Sequence, residues 1–150
     1  MKLTGDPWRE AEGADYSALR FELDGRLIVY RVAKTTSKKT GQFVTVWKRP
    51  APDGPIAPLD ADDGVDFVVV SAFCPNHCGQ FVFSSVLLVS HGVMSRQAQG
   101  GKRALRVYPP WSQPASKQAV NTQRWQCRHF LPMAVDGTAK PADVRRLFKL

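Results

Sequence analysis

The run Asp66 to Phe73 limits the fold more than any other part of the chain. It is nearly all apolar and β-branched, so it reads as a central strand covered on both faces. Such a strand needs a sheet around it and further layers above and below. The composition allows this, with 150 residues of which 43% are hydrophobic and 23% charged. A chain of that length buries roughly 70% of the surface it exposes when unfolded. One domain over residues 16–150 is expected, preceded by residues 1–15 as an arm or a short helix with Asp6 as cap and Pro7 in the first turn.

The flanking segments supply the rest of the sheet. Ser17, Leu19, Phe21 and Leu23 alternate with Ala18, Arg20 and Glu22, which is the period of a strand. Asp24-Gly25 marks a two-residue hairpin turn, because both positions favour positive φ. Arg26 to Lys34 then reads as the returning strand, Thr35 to Gly41 as a polar turn with Lys38 and Lys39 at its tip, and Gln42 to Arg49 as a third antiparallel strand. Pro50 to Asp66, with four prolines and five aspartates, has no helix or strand period and reads as a loop. Gly79 to Phe83 and Leu105 to Tyr108 are further short strands, the second stopped by Pro109-Pro110.

Three helices complete the pattern. Ser84 or Ser85 caps a short one that ends at Gly92. Ser116 caps another, expected to run to about Leu131 with Val120, Cys127, Phe130 and Leu131 inward. Pro141 starts a closing helix through Leu147 and Phe148. The fold class is therefore α/β in the α+β sense, with a mixed, largely antiparallel sheet flanked by helices.

Charge is segregated along this frame. Gly25 to Arg49 and Arg96 to His129 hold seven basic residues each and no acidic one, so the two stretches carry +14 in a chain whose formal net charge is +8. Segregated basicity is what a polyanion-binding surface requires. Lys38, Lys39, Lys48, Arg49, Lys102, Arg103 and Arg106 are candidate phosphate contacts. On the second helix Lys117, Asn121, Arg124 and Arg128 fall on one stripe, flanked by Gln118, Trp125 and His129. Gln42, Gln80, Tyr108, Trp111 and Trp125 are candidates for sugar or base. Gly100-Gly101-Lys102 could bring backbone amides close to an anion, although the spacing is not that of a Walker A loop.

Other chemistries find less support. Cys74, Cys78, Cys127, His77 and His129 include zinc-ligating types, but their spacing is irregular and no metal site is assigned. A metal-dependent nuclease needs carboxylates to hold Mg²⁺ beside a lysine, usually as Glu-x-Lys or Asp-x-Lys. Here Lys48 ends a strand as that lysine would, but Val46 stands where the acid should be. No Gly-x-Ser-x-Gly and no dinucleotide fingerprint occurs. The longest apolar runs fall far short of the ~20 residues of a membrane span, Met1 to Glu12 is unlike a signal peptide, and three cysteines suit a reducing compartment. A cytoplasmic protein with no membrane partner is expected, monomeric by default.

Four strings add a family resemblance: Tyr30 to Arg49, Gly79-Gln-Phe-Val-Phe83, Gly101 to Trp111 and Thr122-Gln-Arg-Trp-Gln126. Together they make residues from about Tyr16 to Leu131 similar to the MepB family. The resemblance implies a core similar to that of restriction endonucleases, a mixed sheet with flanking helices, and its basic strings coincide with the two acid-free stretches. The combined expectation is a protein that binds DNA or RNA through the phosphate backbone on a nuclease-like scaffold, without a cofactor. Two rivals stand beside it. One is an active Mg²⁺-dependent nuclease with an unusual acid set, Glu22 with Asp60 or Asp66. The other is a module for an anionic small molecule or a partner protein, with a pocket around Arg106, Trp111 and Trp125.

Overall fold

A computed structural model describes residues 3–9, as backbone alone, and residues 18–150. Its elements in chain order are β1 (Leu3–Arg9), β2 (Leu19–Leu23), β3 (Arg26–Val32), β4 (Lys34–Thr35), β5 (Gln42–Thr45), β6 (Trp47–Lys48), β7 (Ala57–Pro58), β8 (Phe67–Cys74), β9 (His77–Ser84), α1 (Ser85–Ser90), β10 (Ala104–Val107), α2 (Lys117–Cys127), β11 (Phe130–Met133) and α3 (Pro141–Phe148). The strands form a six-stranded sheet in the order β1-β2-β3-β8-β9-β11, a three-stranded sheet β10-β5-β4 and the pair β6-β7. Of the recorded strand pairs only β3–β8 is parallel.

The apolar run becomes β8, flanked by β3 and β9, with its first six residues buried. Alternation then divides the interior in two. Val68 and Val70 face a core that includes Val29, Phe81 and Phe83, while Phe67 and Val69 face Ile28, Val82, Leu131 and the α3 residues Leu147 and Phe148. The β2–β3 turn has the expected positive φ at Asp24 and Gly25, 50° and 76°. Ser84 caps α1 through the Leu87 amide, and Gly92 follows at φ 72°.

The structure corrects four expectations. Leu3–Arg9 is an edge strand antiparallel to β2, not a helix start. Its register shifts between Thr4 and Trp8, a stretch that contains Pro7, which cannot donate to a ladder and is tolerated at an edge. The rest of residues 1–15 lies outside the described residues. The third antiparallel strand does not extend the β2–β3 hairpin. Both edges of β8 and the inner edge of β3 are taken, and Ala33 N–H continues the β3–β8 pairing by donating to Ser71 O at 2.9 Å. Gln42 to Arg49 therefore lies over the sheet, as β5 and β6, with Val44 and Val46 buried in the shared core.

The Pro50 to Asp66 segment is mostly loop, but it holds β7 and a single 3-10 turn, Ala61–Asp63. Finally, α2 stops at Cys127, and Phe130 and Leu131 are buried as part of β11. Pro132 disfavours helical geometry at Leu131, and β9 offers a place for the strand. Pro132 stands opposite Gly79, where a Cβ would overlap the Phe130 ring and lie 2.7 Å from Leu131 O.

Candidate functional site

The second sheet is built from the two acid-free stretches. β4 and β5 come from the first and β10 from the second, paired antiparallel with Arg106 opposite Phe43. On β10 the buried residues are Leu105 and Val107, so Lys102, Ala104, Arg106 and Tyr108 share the outward face. α2 rises beside that face. Its Ser116 cap accepts from Ala119 N–H at 3.1 Å, and Gln126, fully buried, holds the helix against β10. The Gln126 side chain accepts from Tyr108 N–H at 2.9 Å and donates to Arg106 O at 3.1 Å, as a neighbouring strand would.

Between sheet and helix lies a cleft of about 410 Å³, lined among others by Lys39, Phe43, His91, Lys102, Arg106, Tyr108, Ser116, Gln118, Thr122 and Trp125. No carboxylate is in the lining. Arg106 donates to Thr36 Oγ1 at 3.1 Å and to the carbonyls of Thr40 and Gly41 at 3.3 and 3.4 Å, and lies over the Phe43 ring. Those acceptors are neutral, so the guanidinium pins the turn that carries Lys38 and Lys39 while keeping its charge uncompensated. Among the described residues Lys39, Lys102 and Arg106 have no ion-pair partner.

Of the residues expected to bind, then, Lys39, Lys102, Arg106, Tyr108 and Trp125 converge on one cleft. Lys38 is exposed on the same turn, and Lys117, Arg124 and Arg128 are exposed on α2. That stripe lies about 100° around the helix from the one bearing Gln118, Thr122 and Trp125, so it borders the cleft without lining it. Trp125 has one face covered by the His91 ring, 3.8 Å away and nearly parallel, and packs on the core near Phe83.

The remaining candidates lie elsewhere. Lys48 is held by Asp63 in a 2.6 Å ion pair. Arg49 donates to Gly54 O at 2.5 Å and lies over Trp47, and Arg103 reaches Ile56 O at 3.4 Å. These three gather around the β6-β7 pair, beside the aspartate-rich loop. Gln42 is buried and donates to Phe73 O at 2.6 Å, tying the two large sheets together. Gln80 borders an apolar groove on the opposite face of the six-stranded sheet and donates to Ser71 Oγ. Trp111 stacks under His77 and meets Phe130 edge-on. None of the three is placed to touch a ligand in the cleft. Arg26 and Arg31 are structural as well: Arg26 donates to the carbonyls of Phe148 and Lys149, and Arg31 is buried against Tyr30 O.

The glycine-rich loop encloses an anion of the protein's own. Asp60 accepts from Ser95 Oγ at 2.6 Å and from Ala98 N–H at 3.0 Å. Gly101, at φ 84°, is required by contact with Pro58, whose Cβ would stand 2.6 Å from an added methyl. The anion held in this loop is thus a carboxylate, and the amide that meets it is that of Ala98, ahead of the glycine pair expected to meet a phosphate.

Two acids of the nuclease rival have hydrogen-bond roles within the fold. Asp60 is committed to Ser95 and Ala98, Asp66 accepts from Leu27 N–H at 2.8 Å, and no group of three His, Cys, Asp or Glu among the described residues is placed to hold a metal ion. Of the thiols, Cys78 lies against the carbonyls of Met133 and Ala134, on the hairpin that also carries Cys74, and Cys127 lies against Tyr108 O. Burial raises the Cys127 pKa and, with the nearby charge of His91, lowers that of His129.

Sequence reasoning missed His91, Ser116 and Thr122 as lining residues. Thr122 was readable, since Gln118, Thr122 and Trp125 repeat at helical spacing; His91 was not, because α1 and α2 meet only in the fold.

These features define a class, a small α+β protein with a mixed, largely antiparallel sheet and a basic cleft lined without carboxylates. Residues 10–132 match the MepB-like family, and the chain belongs to it. It is similar to the crystal structure of MepB, with 34% identity, a TM-score of 0.80 and 85% of each chain covered. No curated protein matches it. Among the described residues no helix is long and apolar enough to cross a membrane.

Proposed function

We propose that the protein binds nucleic acid, DNA or RNA, through the phosphate backbone at this cleft. The observation that carries the reading is that Lys39 from one acid-free stretch and Lys102 and Arg106 from the other line a single cleft containing no carboxylate. Cations without an internal ion-pair partner release counterions from a polyanion when they bind it, which is the main source of sequence-independent affinity. The exposed Lys117, Arg124 and Arg128 widen the basic surface, and Tyr108 gives an aromatic neighbour for sugar or base. A nuclease-like, restriction-endonuclease-like scaffold is part of the same reading, supported by a mixed sheet with a central parallel pair, with α1 packed into the core on one face through Leu88 and α3 into the other through Leu147 and Phe148. A cytoplasmic location accompanies it.

Fluorescence anisotropy with a labelled oligonucleotide over a salt series tests the proposal. The logarithm of affinity should fall linearly with the logarithm of salt concentration. A flat response, or no binding at low salt, overturns it. The cleft volume also suits a small anion, and saturable binding of a mononucleotide with no affinity for longer strands would favour that second reading.

A further inference from the structure

Resting on that reading, we infer that the cleft takes one unstacked nucleotide of a single strand, with the neighbouring phosphates running out along the exposed stripe of α2. Shape is the first argument. A cleft of about 410 Å³ is of small-molecule size, large enough for a nucleotide and far too small for a duplex. Reading a duplex calls for an element that projects into a groove. Here the Gln118, Thr122 and Trp125 side of α2 is turned toward β10 and lines the cleft.

Chemistry is the second. The lining groups its side chains by what a nucleotide presents. Lys39, Lys102 and Arg106 supply charge for a phosphate, the Tyr108 ring supplies a stacking surface, and Gln118 and Thr122 supply amide and hydroxyl groups for a base edge or a sugar. The Tyr108 ring is fixed for this role. It lies so close on the Gly41 backbone that an added Cβ there would stand 2.7 Å from its Cδ1, so stacking on it costs little further side-chain entropy. The route out is the third. Lys117, Arg124 and Arg128 are exposed one helical position away from the lining residues, and they offer successive charges to phosphates on either side of the inserted nucleotide.

The test compares a short labelled oligothymidylate with a blunt duplex of equal phosphate number, using the full chain and a Tyr108→Leu variant. That change removes the stacking surface and leaves the charge of the cleft as it is; circular dichroism confirms that the variant is folded. The oligothymidylate should bind the native chain at least about fivefold more tightly than the duplex, the least that one stacked base contributes. In the variant the ratio of the two affinities should fall toward one. A duplex bound as tightly as the single strand, or a variant that weakens both equally, overturns the inference while leaving nucleic-acid binding intact. Failure of the native chain to bind either oligonucleotide overturns both.

Discussion

Asp60 shows how one side chain organises the neighbourhood of the site without joining it. Its carboxylate accepts from Ser95 Oγ and from the amides of Ala98 and Asp62, and these hydrogen bonds, the Ser95 one first, lower its pKa from 3.8 to about 2. A folded-state pKa below the unfolded one means that the stabilisation is complete above the unfolded value and is lost as pH falls toward the folded one. Stability to urea should therefore drop between about pH 5 and about pH 2 in the native chain, and drop less steeply in Asp60→Asn. Equal slopes for the two would show that the carboxylate does not hold the loop as described. Gln97 and Ala98 sit at positive φ, 52° and 60°, so the loop depends on such an anchor to keep non-glycine residues in a left-handed conformation. In sequence, Gly100-Gly101-Lys102 resembles a phosphate loop because glycine and cation look the same whatever they serve; in the fold Gly101 makes room for Pro58, Lys102 lines the cleft, and the anion held nearby is the Asp60 carboxylate on the Ala98 amide.

At the level of elements, the site depends on where α2 ends. Gly79 leaves the space that Phe130 fills when β11 pairs with β9. Gly79→Ala should lower stability by about 1–3 kcal/mol, the usual cost of overpacking, and a urea melt measures it. An unchanged midpoint would mean that the Phe130 ring is not seated there. The expected helix to Leu131 was wrong because Phe130 and Leu131 satisfy an inward helical face as well as they satisfy a strand, and only the nonlocal partner β9 decides between them. Where local rules were sufficient, the reading held: Asp24-Gly25 turned the first hairpin, Ser84 and Ser116 capped α1 and α2, and Pro141 opened α3. Gln126 was illegible for the opposite reason. A glutamine in a polar helix looks exposed until a strand edge, here β10, takes up its amide.

Over the whole molecule, segregation of charge in the sequence became convergence in space only in part. The pairing of β5 with β10 joins the two acid-free stretches, yet their cations divide between the cleft and the surroundings of the β6-β7 pair. Lys39, Lys102 and Arg106 line the cleft, whereas Lys48, Arg49 and Arg103 stand beside the loop that carries Asp63. Counting charges along the chain could not separate these groups, because which cation meets Asp63 is fixed by tertiary packing. The division makes location testable at constant net charge. Two variants, one with Lys39, Lys102 and Arg106 changed to Gln and one with Lys48, Arg49 and Arg103 changed to Gln, each remove three positive charges from the formal +8. If affinity came from the overall field, both would lower the salt slope alike. If it comes from phosphates in the cleft, the first variant should lose about two units of slope, near 0.7 to 0.9 for each lost phosphate contact, and the second less than about half a unit. Equal losses in salt-titrated anisotropy would reject the cleft as the seat of binding, and a larger loss in the second variant would move the seat to the aspartate-flanked end.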